Sequence, residues 1–337
     1  MTIEKRTLKK EAVGEFINRL RAGQWQVVAP KKKDKQVTFG EISGAEDICQ
    51  DYVQTTQSAK GVLFPRVEEL FRYQMQENGA QILEREGPPQ GTVIFGLRPC
   101  DAAAVAPLAA VFTWDYPDAP FKKRLAQTAI VAISCHQADE YCFCTSVGGS
   151  PGDTRGSDIL LTRLSGGDYL AEIVTEKGKR LVELAADLFT VAPKEEKEKN
   201  LARVEKRFDA KKLAEKLPGF FDSPVWIEQS LRCLGCGACA YVCPACVCFD
   251  IQDEGNEKRG RRLRCWDSCG FSQFTLHTSG HNPRSVQSQR WRQRLMHKFS
   301  YQPDRLDVVG CVGCGRCSRA CPVDMNLLEH LIQIAEG

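Results

Sequence analysis

Two twelve-residue stretches decide how this chain is built: Cys233-Leu-Gly-Cys236-Gly-Ala-Cys239-Ala-Tyr-Val-Cys243-Pro244 and Cys311-Val-Gly-Cys314-Gly-Arg-Cys317-Ser-Arg-Ala-Cys321-Pro322. Both follow the pattern C-x2-C-x2-C-x3-C-P, the spacing at which thiolates bind [4Fe–4S] clusters in ferredoxins. In two-cluster ferredoxins the fourth cysteine of each run binds the cluster of the other run. We therefore predict two [4Fe–4S] clusters, one on Cys233, Cys236, Cys239 and Cys321 and the other on Cys311, Cys314, Cys317 and Cys243.

Zinc is the main alternative for paired C-x2-C motifs. Zinc sites combine two short motifs, however, and here four cysteines stand in one run. Gly237 and Gly315 follow the second cysteine of their runs, where a glycine lets the backbone approach a cluster closely. The repeat therefore favours clusters over zinc.

The composition is that of a soluble globular protein with one unusual feature. The 337 residues are 42% hydrophobic and 26% charged, and the net charge of +3 does not indicate a nucleic acid or a membrane surface as partner. The charged N-terminal segment lacks the apolar core of a secretory signal, and the apolar stretch 102–112 is too short to span a bilayer. We therefore expect a cytoplasmic protein without membrane insertion. In that reducing compartment its 17 cysteines indicate metal ligands rather than disulfides.

Four further cysteines follow two apolar, strand-like segments in the first half of the chain. Cys100 follows Thr92–Leu97, and Cys135 follows Thr128–Ser134, with Cys142 and Cys144 close behind. Neighbouring parallel strands end at the same edge of a sheet, so these four thiols are expected to meet there. They predict a third [4Fe–4S] cluster, with zinc or buried free thiols as the alternatives.

A second group of cysteines surrounds the first run. Cys246, Cys248, Cys265 and Cys269 form a candidate fourth metal site, of which Cys246, Cys248 and Cys269 are the better supported. The alternative is that these small, soft side chains pack around the clusters. Cys49 stands alone and receives no role.

The chain is expected to be α+β, with two domains. Residues 1–220 read as an α/β domain, with helical patterns over Lys9–Arg21 and Val67–Asn78 and strands that include Tyr169–Val174. A charged segment between Pro193 and Pro218 leads into residues 221–337, which we predict to form a mainly helical ferredoxin domain. The insertion from Ser268 to Pro303 contains basic but no acidic residues, so it either stabilises a reduced cluster or forms a solvated basic helix face or a docking patch.

Several other motifs resemble one family in combination. They are Phe95-Gly-Leu-Arg-Pro-Cys-Asp101, Cys142-Phe-Cys-Thr-Ser146, Cys243-Pro-Ala-Cys-Val-Cys-Phe-Asp250, Trp266-Asp-Ser-Cys269, Asn282-Pro-Arg284 and His297-Lys-Phe-Ser-Tyr301. The chain resembles the iron–sulfur β subunit of soluble sulfhydrogenase-type [NiFe] hydrogenases and the iron–sulfur subunit of anaerobic sulfite reductase. This resemblance implies an electron-transfer subunit between a partner that binds FAD and NAD(P)H and a second partner that holds the terminal catalytic centre. The family pattern usually has threonine where this chain has Ala245.

The sequence leaves two main classes of function open, besides a protein whose clusters are only structural. The chain has no G-x-G-x-x-G after a strand and no P-loop, which favours an electron relay without a nucleotide site of its own. The alternative is a redox enzyme in which a cluster of the first domain binds a substrate at an open iron. Asp101, next to Cys100, is the candidate for an exchangeable ligand there.

Overall fold

A computed structural model describes residues 3–84 and 91–337. Its strands are β1 Glu4–Leu8, β2 Gln26–Lys33, β3 Gln36–Glu41, β4 Val67–Gln76, β5 Gly79–Glu84, β6 Thr92–Leu97, β7 Thr128–Ile133, β8 Ile159–Arg163, β9 Tyr169–Ile173, β10 Phe189–Val191, β11 Phe249–Gly255 and β12 Arg259–Trp266. Its helices are α1 Val13–Ala22, α2 Lys60–Leu63, α3 Pro99–Ala103, α4 Val105–Thr113, α5 Ala119–Gln127, α6 Glu176–Glu183, α7 Ala210–Lys216, α8 Val225–Ser230, α9 Ala238–Tyr241, α10 Gln287–Met296, α11 Gln302–Leu306, α12 Arg316–Arg319 and α13 Leu327–Glu336. A π-helical turn, His297–Tyr301, joins α10 to α11. Mixed sheets and helices together confirm the predicted α+β class.

An eight-stranded mixed sheet forms the first half of the molecule, in the order β10-β1-β9-β8-β7-β6-β2-β3. Strands β2, β6, β7 and β8 run parallel, and every residue of β6 is buried. This burial on both faces explains why these strands read as continuous apolar runs. The strands predicted over Thr92–Leu97 and Thr128–Ser134 are confirmed as parallel neighbours, so their carboxyl ends share one edge.

A second sheet, β11-β12-β4-β5, joins distant parts of the sequence. The helix predicted over Val67–Asn78 is wrong, because this segment is strand β4. Strand β4 is hydrogen-bonded to β5 on one side and to β12 on the other, and such pairing overrides a weak local preference for helix. The sequence analysis also missed the hairpin of β11 and β12, which lies between the two cysteine runs.

A core of helices holds the two cysteine runs in the last third of the chain. Trp226 from α8, Trp291 and Leu295 from α10 and Leu331 from α13 are buried together there. Phe143, from the loop after β7, belongs to the same core and so ties the first half of the chain to the last third. The cysteine loops are therefore fixed against a rigid base.

The second cysteine run also presses directly against that loop. Gly313 has φ +63°, and a Cβ on it would stand 2.5 Å from the carbonyl carbon of Phe143. Only glycine tolerates both the left-handed backbone and this approach. Beside it, the buried Arg316 of α12 binds the buried Asp101 of α3 through both carboxylate oxygens. The ends of β6 and β7 and the second run thus form one continuous region.

Candidate iron–sulfur centres

The two cysteine runs fold into equivalent turns. Gly235 and Gly237 have φ +67° and +73°, and the matching Gly313 and Gly315 have +63° and +68°. In each run the second of these glycines leads into a one-turn helix, α9 or α12. The left-handed turns allow the tight C-x2-C spacing, and Gly237 and Gly315, predicted to let the backbone approach a cluster closely, lie in them.

A cavity brings the fourth cysteine of the second run to the first run. Its lining includes Cys233, Cys236 and Cys239 of the first run together with Cys321 of the second. The Cys321 sulfur accepts a hydrogen bond from the Met325 amide at 3.2 Å, the type of contact that stabilises a thiolate. Cys317 and Cys269 also reach this cavity. The arrangement supports the crossed ligand set predicted for the first cluster.

A buried lysine links Cys243 to the second run. Lys298 Nζ lies 3.5 Å from Cys243 Sγ and 2.7 Å from the carbonyl oxygen of Gly310, which immediately precedes Cys311. Burial lowers the pKa of Lys298, but the sulfurs of Cys243 and its neighbours raise it, and the net shift is upward. Burial raises the pKa of Cys311 to about 12. These thiols therefore ionise only when a metal or a cation stabilises the thiolate.

Three buried cations surround this region without a carboxylate partner among the residues that the structure describes. Arg294 donates to the Cys239 carbonyl oxygen and Cys246 Sγ, and Lys60 donates to the carbonyl oxygens of Ala240 and Cys246. Lys298 is the third. A buried charge is costly unless an opposite charge compensates it, and the neighbours that would do so are cysteine sulfurs. The site is thus built for thiolates, as in a negatively charged iron–sulfur cluster.

The four cysteines predicted at the ends of β6 and β7 lie in one region of the structure, where Cys100 and Cys144 line a cavity together with Cys311. Cys135 interacts electrostatically with Cys142 and Cys100, and Cys144 interacts with both Cys135 and Cys142. Burial raises the pKa of Cys135 to about 11 and that of Cys144 to about 12. Cys100 also lies near Cys314 of the second run. The quartet therefore lies next to the second predicted cluster.

Asp101 is not free to act as an exchangeable ligand. Both of its oxygens bind Arg316, and both side chains are almost fully buried. The same guanidinium donates to Gln54 Oε1 and to the Thr55 carbonyl oxygen. Asp101 therefore joins two parts of the chain, a role that the sequence analysis missed because Arg316 is more than 200 positions away.

The remaining cysteines divide into two groups. Cys246 lies beside Cys243 and Cys248 lies beside Cys269, and these neighbouring thiols lower the pKa of Cys246 and bring that of Cys269 to about 7. Cys265 lies apart on β12, where its sulfur is 3.9 Å from Gln252 Oε1. Across residues 3–84 and 91–337, no three His, Cys, Asp or Glu side chains are grouped to hold a single metal ion.

A glutamine missed by the sequence analysis donates to a predicted cluster ligand. Gln287, the first residue of α10, places Nε2 3.0 Å from Cys233 Sγ. Arg290 fixes the orientation of the amide, since its Nε and Nη2 lie 3.1 and 2.7 Å from Gln287 Oε1. Arg290 is itself held by the carbonyl oxygens of Arg284 and Ser285. The amide nitrogen is therefore directed at the sulfur.

We expect the substitution Gln287→Leu to lower the midpoint potential of the first cluster by roughly tens of millivolts. The N–H···S bond stabilises the more negative, reduced cluster, and leucine removes it. An EPR-monitored potentiometric titration measures the shift. Gln293→Leu, on the same helix, is the matched control and should leave the potential unchanged. Equal potentials for the two variants would show that the bond does not act on the cluster.

Comparison with known proteins agrees with this geometry. Residues 232–325 match the model of a 4Fe-4S dicluster domain. In an alignment of 338 positions that covers 98% of each chain, the protein is 31% identical to sulfhydrogenase 2 subunit beta of Pyrococcus furiosus. It is also 24% identical over 177 residues to F420-dependent formate dehydrogenase subunit beta of Methanocaldococcus jannaschii, which covers 48% of this chain and 38% of that protein.

No solved structure matches the chain at a significant level. Among the described residues, no helix combines the length and apolarity that a bilayer crossing requires. The likeness to the Pyrococcus subunit extends over nearly the whole of both chains and includes both cysteine runs. The chain therefore belongs to the family of sulfhydrogenase β subunits, iron–sulfur proteins that transfer electrons within oxidoreductase complexes.

Proposed function

We propose that this chain relays single electrons between a subunit that oxidises NAD(P)H through a flavin and a subunit that holds the terminal catalytic centre. The observation that supports it best is the pair of equivalent cysteine turns, with Cys321 beside the first run and Cys243 held by Lys298 near the second. Bound [4Fe–4S] clusters supply the one-electron couples. The terminal subunit is of the hydrogenase, sulfite reductase or heterodisulfide reductase type, and the complex is expected in the cytoplasm.

The chain's own residues set the conditions for this transfer. They hold the cysteines in fixed turns, cover most of them with the helical core and place Arg294 and Lys298 beside the sulfurs. Fixed positive charge near a cluster favours its reduced state and raises its potential. We propose residues 221–337 as the two-cluster ferredoxin domain, mainly helical apart from the hairpin of β11 and β12, and residues 1–220 as the α/β domain.

A third [4Fe–4S] cluster on Cys100, Cys135, Cys142 and Cys144 is part of the proposal. Its support is that Cys100 and Cys144 line one cavity with Cys311 and that Cys100 lies near Cys314, which would place the third cluster next to the second. Cys246, Cys248 and Cys269 remain the proposed ligands of a further metal centre, whereas the Cys265 sulfur lies 3.9 Å from Gln252 Oε1 of β11. The competing function is an enzyme with an open iron at which Asp101 is the exchangeable ligand. Both oxygens of Asp101 bind Arg316, so this function lacks its proposed ligand.

Anaerobic analysis should find about eight iron atoms and eight sulfides per chain, and about twelve of each with the third cluster. Dithionite should bleach the visible absorbance of the isolated chain. NADPH alone should not, because the chain lacks a dinucleotide fingerprint. Adding the flavin subunit should restore reduction by NADPH.

Two outcomes would overturn this function. Stoichiometric zinc with fewer than about six iron atoms would remove the clusters. FAD bound to this chain alone would make it an enzyme subunit rather than a relay.

A further inference from the structure

A small basic cleft lies at the carboxyl ends of the parallel strands of the large sheet. Ile133 ends β7, Arg163 ends β8, and Tyr169 begins the antiparallel β9 opposite Arg163; all three line the cleft. Arg98, directly after β6, and His136, shortly after β7, line it as well. In open sheets, ligands bind in the crevice outside the carboxyl ends of parallel strands. Its position therefore makes the cleft a candidate ligand site.

The cleft carries positive charge that no lining carboxylate balances. Arg98 is 3% exposed, and its guanidinium donates to the carbonyl oxygens of Tyr52, Val53 and Ser134. Arg163 is exposed to solvent. Among residues 3–84 and 91–337, neither arginine has a carboxylate oxygen within 4.0 Å, and no acidic residue lines the cleft. Carbonyl dipoles do not cancel a full charge, so the cleft favours a negatively charged ligand.

Tyr169 and His136 add hydrogen-bonding groups to the lining. Tyr169 is 7% exposed, and its hydroxyl has no hydrogen-bond partner in the part of the chain that the structure describes. Burial, together with Arg98 and Arg163, lowers the pKa of His136, so this imidazole is mostly neutral near pH 7. Asp51 acts on His136 in the opposite direction but does not line the cleft. The cleft therefore offers two guanidinium groups, a phenol and an imidazole to one ligand.

The enclosed part of the cleft is small. It offers about 40 Å³ to the centres of water molecules, and one water needs roughly 10–15 Å³ on this measure. That is room for about three waters, or for one anionic group of similar size. Carboxylates and phosphates fit this description, and guanidinium groups bind both through charge-assisted hydrogen bonds.

We propose that this cleft binds a small molecule through its carboxylate or phosphate group, held by Arg98 and Arg163 with Tyr169 as a hydrogen-bond donor. The site goes beyond the electron relay, since none of the cysteines assigned to a metal centre lines it. Burial raises the pKa of the Cys135 thiol and Arg98 opposes this rise, so the cleft adjoins the predicted third cluster. An anion in the cleft thus brings negative charge close to that cluster.

Isothermal titration calorimetry of the full-length chain, kept anaerobic with its clusters, tests the binding. Sodium acetate and sodium phosphate are titrated separately at constant ionic strength. At least one of them should bind with saturation, and Arg163→Gln should weaken that binding about tenfold, because a charge-assisted hydrogen bond is lost. Tyr169→Phe removes only a hydroxyl and should weaken it less. Binding of acetate alone would identify a carboxylate ligand, and binding of phosphate alone a phosphorylated one.

Arg180→Gln is the matched control. Arg180 is also exposed and has no carboxylate within 4.0 Å among the described residues, but it does not line the cleft. Its substitution should leave the binding unchanged, and the iron content of every variant should equal that of the wild type. No saturable binding of either anion, or equal binding by Arg163→Gln and the wild type, would overturn the proposal.

Alkylation of Cys49 locates the bound anion. Cys49 is half-buried, lines the cleft and is assigned to no cluster. The anion that binds should slow the modification of Cys49 by iodoacetamide, measured by peptide mass spectrometry, and should leave that of Cys265 on β12 unaffected. No slowing at Cys49, or equal slowing at both cysteines, would place the anion elsewhere and refute the cleft as its site.

Discussion

Cys321→Ser should remove the first cluster and spare the second, although Cys321 belongs to the second run. Cys321 lines the cavity formed by Cys233, Cys236 and Cys239, and its sulfur accepts a hydrogen bond from the Met325 amide. Serine is a poor ligand for iron, so the first cluster should be lost or become labile. The iron content should fall by about four atoms per chain.

Anaerobic iron analysis and EPR of the reduced protein measure this result. The EPR signal of the cluster on Cys311, Cys314 and Cys317 should persist, and the magnetic interaction between the two clusters should disappear. Cys265→Ser is the control, because Cys265 lies on β12 and should bind no cluster. Loss of the second cluster alone would show that each run binds its own cluster without crossing.

Arg316→Leu should be the most destabilising single substitution, at about 3–5 kcal/mol, the usual cost of breaking a buried ion pair. The Arg316 and Asp101 side chains are 1% and 2% exposed, and leucine would leave the carboxylate buried without a counter-charge. The substitution also removes the hydrogen bonds to Gln54 and Thr55. The midpoint of anaerobic urea denaturation should therefore fall sharply.

Two further variants distinguish the loss of the buried ion pair from a general loss of stability. Arg261→Leu breaks a solvent-exposed pair with Glu254 and should leave the denaturation midpoint nearly unchanged, because water screens such a pair. The double variant Asp101→Leu, Arg316→Leu removes both charges and should recover much of the lost stability, since apolar replacement of buried pairs is often neutral. Equal midpoints for Arg316→Leu and Arg261→Leu would rule out a stabilising role for the buried pair.

The parts of the site that sequence could predict are those set by short-range pattern. The glycine after the second cysteine of each run predicted a close approach of the backbone, and Gly237 and Gly315 lie in left-handed turns at those positions. The sequence also predicted strands β6 and β7, because a strand that is buried on both faces appears as an unbroken apolar run.

The other parts depend on contacts between residues far apart in the chain. Lys60 donates to the Cys246 carbonyl oxygen, and Gln287 donates to the Cys233 sulfur. No local sequence pattern predicts either contact. Strand β4 was mistaken for a helix because the strand that fixes it, β12, comes much later in the sequence. Only folding brings such partners together, so a one-dimensional pattern does not reveal them.

The late arrival of β12 has a consequence during synthesis of the protein. Strand β5 ends at Glu84 and β12 begins at Arg259, so about 170 residues separate them and the ribosome needs roughly ten to thirty seconds to add them. Throughout that interval one edge of β4 lacks its partner, and an unpaired edge invites association with other nascent chains. Glu68, which the finished protein buries between Arg264 and Arg124, lacks Arg264 until β12 is made. Charged side chains on an open edge disfavour pairing with foreign strands, so we expect the residue that later anchors β12 to reduce association of the growing chain.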